Sequence, residues 1–167
     1  GTEHLRVAEK VKKHEIVYDL FAGVGPFAIP IAKKGNKVVA VDINKDAIDY
    51  LKENARMNKV KDKIEAYVGD AGKISKKRRW KNKADRVIMN LPMHAGEFLD
   101  TAFYVAKPGA VVHFYCFLDK KDLYKKGIKT IKDAAKLAGK KTRILNKRIC
   151  GQLAPKVYRV VIDFKVY

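Results

Sequence analysis

Apolar positions recur along the 167 residues in two alternating patterns. Short apolar runs at Ile16–Phe21, Lys37–Ile43, Ile64–Gly69, Ala84–Asn90 and Ala110–Phe117 have the length and branching of buried strands. Helical patterns lie between them: a short one at Phe27–Lys34, a clear one at Lys45–Asn58 with Ala47, Ile48, Leu51 and Ala55 on one face, one through Glu97–Val105, and a long one over Lys120–Leu137. Arg143–Cys150 and Val157–Val166 close the chain as two strands joined by a short loop. Strand alternating with helix predicts a parallel sheet with right-handed crossovers. Two strands in succession with a tight connection predict a hairpin. The expected fold is therefore α/β, a doubly wound, mostly parallel seven-stranded sheet whose last strand runs antiparallel.

An apolar content of 47% supports one domain, residues 1–167, with a sizeable core. No linker, repeat or signal peptide stands out, and the chain opens inside a helical pattern, as expected of a catalytic domain taken from a longer protein. The longest apolar run, Ala110 to Leu118, is broken by His113 and is too short to span a bilayer. Cys116 and Cys150 lie in apolar strand-like segments and read as reduced core thiols of a cytoplasmic protein. Four scattered histidines show no metal-ligand spacing, so no metal is expected.

Charge changes the picture most. Against 18 Asp+Glu stand 37 Lys+Arg, a net +19 that implies a polyanionic partner. No helix carries the bulky apolar face that a membrane surface would need, which leaves nucleic acid. Lys enrichment as heat adaptation would bring Glu with it, and Glu does not keep pace. No obligate protein partner is inferred.

The first strand runs into Asp19-Leu20-Phe21-Ala22-Gly23-Val24-Gly25-Pro26-Phe27-Ala28. Gly23-x-Gly25-x-x-Ala28, with Asp42 at the end of the second strand, matches a dinucleotide fingerprint. Two residues argue against a dinucleotide. Asp19, expected at the mouth of the site, would repel a pyrophosphate but attract the ammonium and sulfonium of S-adenosylmethionine. Pro26 removes an N–H that a pyrophosphate would use. Asp42 is then expected to accept from ribose, Ile43 to pack on adenine, and Asp70, ahead of Ala71, to accept from the adenine amino group. Each of these acids taken alone also reads as an ordinary loop or cap aspartate. Phe21, Gly23 and Gly25 complete the expected cofactor loop.

Strand four ends Asn90-Leu91-Pro92-Met93, with Asn90 at the carboxyl end facing the ligand crevice. Asn-x-Pro resembles the Asn-Pro-Pro-Tyr motif of amino-methyltransferases, but Leu91 replaces the first proline and Met93 the aromatic. That departure counts against an exocyclic amine or a glutamine amide as target. Together, Asp19–Phe27, Val41-Asp42-Ile43-Asn44, Asn90-Leu91-Pro92, Glu97-Phe98-Leu99-Asp100 and the opening Thr2-Glu3-His4 resemble the archaeal and eukaryal tRNA (guanine-N1)-methyltransferases, class I enzymes that act on the purine 3′ of the anticodon, position 37. The resemblance covers essentially the whole chain. It implies the strand order 3-2-1-4-5-7-6, S-adenosylmethionine as methyl donor, tRNA as partner, Glu3 as general base, His4 lining the cofactor pocket, and Asn90 and Pro92 at the reacting centre. Read without the resemblance, Glu3 is a helix N-terminal acid beside the cap residue Thr2. The resemblance also implies upstream RNA-binding domains that do not precede Gly1, so weak activity of the domain alone is expected.

Between strands three and four, Lys73 to Lys83 gathers seven cations around the single tryptophan. Lys76, Lys77, Arg78 and Arg79 are the candidates for phosphate contact, with Trp80 either stacking on a base or covering the core. Two other readings stay open. One is a class I methyltransferase acting on another RNA, as in the wybutosine pathway or on rRNA, or on a protein amide. The other is a Rossmann module that binds nucleic acid without turnover.

Overall fold

The computed structural model describes residues 2–91 and 93–167. Seven strands form one sheet in the order β3-β2-β1-β4-β5-β7-β6. They are β1 (Ile16–Asp19), β2 (Lys37–Asp42), β3 (Ile64–Val68), β4 (Ala84–Met89), β5 (Ala106–Asp119), β6 (Thr142–Ala154) and β7 (Val157–Val166). The pairs β1–β2, β2–β3, β1–β4 and β4–β5 are parallel, while β7 runs antiparallel to both β5 and β6. The expected fold class and strand order are both realised. Among the described residues six α-helices accompany the sheet: α1 (Thr2–Lys10), α2 (Ala28–Lys33), α3 (Lys45–Met57), α4 (Ala71–Ile74), α5 (Leu99–Val105) and α6 (Lys125–Leu137).

Residues alternate across the pleat, so each strand feeds two cores. Val17, Val38, Ala40, Ile88 and Tyr115 pack with α1, α2 and α3. Tyr18, Val39, Val41, Val87, Met89 and Phe114 pack with α5, α6 and Trp80 on the opposite face. Gly127 lets α6 approach closely, since a Cβ there would stand 2.7 Å from Ile162 Cδ1.

A buried polar web ties α1 to the sheet. His113 lies between Asp163, 2.6 Å from Nδ1, and Arg86, 2.8 Å from Nε2. A guanidinium only donates, so Nε2 accepts and Nδ1 carries the hydrogen donated to Asp163. Burial holds the imidazole below its ordinary pKa, and the pair with His113 and Arg6 holds Asp163 well below the usual carboxylate range against the opposing effect of its own burial.

Several boundaries differ from expectation. The last long helix begins at Lys125 rather than Lys120, because Asp119 accepts the Lys121 N–H and caps a 3-10 turn at Lys120–Asp122. Tyr124, at φ +69°, then redirects the chain. Residues Ala95–Phe98 form a 3-10 turn ahead of α5, so only Leu99–Val105 of the expected helix is α. β6 and the carboxyl end of β5 extend beyond their apolar cores because antiparallel pairing to β7 continues through polar residues, while β5 begins early where Ala106 pairs with Ala84 of β4.

Candidate active site

The chain turns back between β1 and β4, where strand order reverses, and a crevice opens at the carboxyl ends of the strands. A cavity of about 550 Å³ there is lined by Phe21, Asp42, Ile43, Asp70, Ala71 and Asn90, all expected site residues. Leu91, Met93, His94, Glu97 and Phe98 line it too and were not among them. Phe98 stands edge-on to Phe21 at 5.1 Å, so the 3-10 turn before α5 supplies one wall. A second cavity of about 500 Å³, near Ile16, Lys37 and Trp80, begins at the opposite ends of β1 and β2 and holds none of the expected donor-site acids.

Asp42 accepts the Gly23 N–H through Oδ2 and the Asn44 N–H through Oδ1, each at 2.9 Å. A carboxylate offers about four lone-pair positions, so two remain for ribose hydroxyls. Asp70 caps α4, Oδ1 accepting from the Lys73 N–H at 3.1 Å, and the residue lines the cavity. Ile43 is 73% exposed, an apolar surface in the position a flat base would cover. The cap reading and the ligand reading of these acids are therefore compatible in the same residues.

Asp19 is not at the mouth of the site. It is fully buried beneath the loop, and neither carboxylate oxygen has a hydrogen-bond partner among the described residues. Burial pushes its pKa up to about 7, with the nearby Asp42 charge adding to the rise and the Phe21 N–H opposing it. A buried carboxylate without a partner is costly, and a cation brought to the loop would relieve it. Gly23 and Gly25 shape that loop with positive φ instead of lining the cavity. At Gly25 a Cβ would collide with Leu51. His4 also lies off the cavity, edge-on to Phe27 at 4.5 Å. Burial chiefly, together with neighbouring positive charge that includes Arg159, lowers its pKa.

Glu3 sits in the first turn of α1, only 6% exposed. Its Oε1 accepts from the Tyr115 hydroxyl at 2.8 Å, Arg6 donates to both oxygens, and Arg148 stands 3.3 Å from Oε2. The Tyr115 ring carries the Arg159 guanidinium 4.6 Å from its centroid, and Arg159 Nη2 donates to Asn90 Oδ1 at 2.6 Å. Glu3 is thus joined to the crevice through Tyr115, Arg159 and Asn90 without lining it. Sequence reading missed Tyr115 and Arg159. One signal was present: Arg159, Asp163 and Lys165 interrupt an otherwise apolar β7 at positions that share a face. Pro92 lies outside the described residues.

Of the basic stretch, Lys77, Arg78 and Arg79 are exposed, and Lys76 pairs with Asp100 at 2.7 Å. Trp80 does not offer a stacking face to solvent. It is 4% exposed and stands edge-on to Tyr18 and Tyr67, because an indole at the end of a 3-10 turn can close the core over β1 and β3. Among the described residues no group of acids, histidines and cysteines could hold a metal, and no helix is long and apolar enough to cross a membrane.

Residues 1–145 match the family described as the TRM5/TYW2 methyltransferase domain. The tRNA (guanine(37)-N(1))-methyltransferase Trm5b of Pyrococcus abyssi is 42% identical over 166 residues, covering 99% of this chain and 48% of its own length. Its crystal structure superposes with a TM-score of 0.90. The crystal structure of Methanocaldococcus jannaschii TYW2 in complex with AdoMet, 34% identical, covers 99% of this chain and 74% of that one at a TM-score of 0.92. The complex structure of aTrm5 and tRNALeu, 36% identical, covers all of this chain and 46% of that one at 0.86. The chain spans about half the length of the first of these relatives.

Proposed function

The chain belongs to the TRM5/TYW2 methyltransferase domain family, and on that footing we propose that it transfers the methyl group of S-adenosylmethionine to N1 of guanosine 37 in tRNA, beside the anticodon. The observation that carries the reading is the meeting of Asp42, Asp70 and Asn90 in one cavity at the strand ends, above the unpartnered carboxylate of Asp19. Residues 1–167 serve as the catalytic domain of such an enzyme, with RNA-binding domains outside them. A cytoplasmic setting fits the two free thiols.

The acids suit a nucleoside bearing positive charge: Asp42 for ribose, Asp70 for an amino-purine edge, and Asp19, buried beneath the loop, as a negative charge that favours an ammonium above it. Bound there, S-adenosylmethionine supplies an electrophilic methyl carbon on a sulfonium. Guanine N1 holds a proton at neutral pH and must lose it to become the nucleophile. Glu3 is the carboxylate assigned that proton, linked to the crevice by Tyr115 and Arg159. The N1–carbon bond forms as the carbon–sulfur bond breaks, the electron pair returning to sulfur. Exposed Lys77, Arg78 and Arg79 suit contact with the tRNA backbone.

Incubation of the protein with labelled donor and total tRNA, followed by nucleoside mapping, tests the reading. Label in 1-methylguanosine at position 37 is expected. Label in an aminocarboxypropyl product, in rRNA or in protein would overturn it.

A further inference from the structure

Arg159 lies in register with Phe117 across the β5–β7 pair and reaches over the Tyr115 ring to Asn90. A guanidinium carries donors only, so the end of the Asn90 carboxamide that meets it is the oxygen. The partner's chemistry, not a choice between look-alike atoms, fixes which way the amide points. The NH2 end is turned from Arg159, and Asn90 lines the crevice.

We propose that Arg159 is a positioning residue that acts through Asn90, fixing the carboxamide so that its NH2 faces the crevice and the site favours a target with a carbonyl oxygen beside the nitrogen to be methylated. The proposal rests on reading the crevice as a methyl-transfer site, and it adds which edge of the target that site recognises.

The chemistry follows from the fixed orientation. When guanine loses its N1 proton, the negative charge spreads onto O6. A donor aimed at O6 stabilises that anion more than the neutral base, so the interaction grows toward the transition state. The cation on the amide oxygen polarises the carboxamide and makes its N–H groups better donors. A target reacting at an exocyclic amine needs the opposite, an acceptor, and Arg159 already takes one of the two lone pairs of Oδ1 and weakens the other as an acceptor. Arg159 is itself held, by the ring at 4.6 Å and by Cys150 Sγ at 3.5 Å from Nη1.

Two measurements test this, one of them independent of turnover. Side-chain ¹⁵N relaxation of Asn90, assigned by comparison with Asn90→Asp, should show a rigid amide in the parent, with an order parameter near the ~0.85 of ordered backbone. In Arg159→Met it should fall below about 0.6 while backbone spectra elsewhere stay unchanged. Arg159→Leu serves as the second variant if Met disturbs folding, while Arg159→Lys, which still donates, should keep the amide rigid. An equally rigid Asn90 in a folded Met or Leu variant overturns the proposal.

Single-turnover methylation of tRNA forms the second arm. Arg159→Met should slow the step about 10²-fold, the scale of one lost anion-stabilising donor, with donor affinity unchanged. The double variant with Asn90→Ala should be no slower than Asn90→Ala alone. Multiplying effects in the double variant would show that Arg159 acts independently of Asn90 and overturn the proposal. A parent protein that methylates no guanosine even when joined to its RNA-binding domains would overturn the assigned reaction instead, and the relaxation arm would still decide whether Arg159 sets the amide.

Discussion

Asp42 Oδ2 accepts the Gly23 N–H at 2.9 Å, so the acid that ends β2 also fixes the glycine loop that ends β1. The second oxygen takes the Asn44 N–H at the same distance, and Asn44 in turn caps α3. Ribose recognition, loop shape and a helix start converge on one carboxylate. A substitution there acts on all three.

Asp42→Ala should therefore cost more donor affinity than two lost ribose bonds alone, on the order of 2–4 kcal/mol or above. Asp42→Asn keeps one acceptor for the loop and should cost less. Calorimetry with S-adenosylmethionine or its demethylated product checks this. Unchanged affinity in Asp42→Ala, or tighter binding of NAD to the parent, would remove the crevice as a methyl-donor site.

Asp19 makes the empty and loaded protein respond oppositely to pH. Its pKa is raised from 3.8 to about 7, so the folded chain retains a proton that the unfolded chain has lost across that window. Stability from this group is full below pH 4 and declines as pH rises through 7. A bound cation favours the ionised form, so donor affinity should increase from pH 6 to 8 with release of a proton. Asp19→Asn should raise Tm at pH 8, since an uncompensated buried group costs about 1–3 kcal/mol and each kcal/mol is worth about 2–4 °C at this size. The same variant should bind donor more weakly and lose the pH dependence. A parent-like profile in Asp19→Asn would place the titrating group elsewhere.

How far the sequence foretold this site depends on whether a residue's role is local. Asp42, Asp70 and Asn90 were legible because strand ends and loops follow from short-range pattern, and parallel topology then brings strand ends together. Trp80 was not, because the same basic stretch reads alike whether its indole turns outward or packs on Tyr18, about sixty positions upstream. Asp19 was placed in the right loop but at the wrong depth, since periodicity gives a face and not a distance from solvent. The Glu3–Tyr115–Arg159–Asn90 chain joins α1, β5, β7 and β4, and no local rule couples four segments so far apart.

The basic loop and its tryptophan separate cleanly by experiment. Replacing Lys77, Arg78 and Arg79 with Ser should flatten the salt dependence of tRNA binding, whose slope follows the number of phosphates neutralised. Trp80→Ala should destabilise the fold by about 3–5 kcal/mol, as for other buried aromatics. Trp80→Phe should retain most stability and leave tRNA affinity unchanged, because the ring faces Tyr18 and Tyr67. An unaltered slope in the triple variant would make the loop a solvated surface, and weaker RNA binding by a stable Trp80→Phe would restore the stacking role.

Glu3 poses the sharpest question, because it is both a structural acid and the assigned base. Arg6, Arg148 and the Tyr115 hydroxyl already engage its two oxygens. Receiving a proton from guanine N1 therefore requires one partner to give way. Arg148 is the natural one, at 3.3 Å and with its side chain 44% exposed. Glu3→Gln keeps the size and the Tyr115 bond but removes proton acceptance, and the single-turnover rate should fall about 10²–10⁴-fold, the usual worth of a positioned base. Some stability should go with it, because Arg6 and Arg148 lose a charged partner. Tyr115→Phe separates the two roles: it removes a hydroxyl that helps hold Glu3 without touching the carboxylate, so its rate should fall far less than that of Glu3→Gln. Donor affinity should be near parental in both, as neither residue lines the cavity. Equal rate losses in the two variants would mean that Glu3 only orders α1 against β5, and a parent-like rate in Glu3→Gln would assign the proton to another carboxylate.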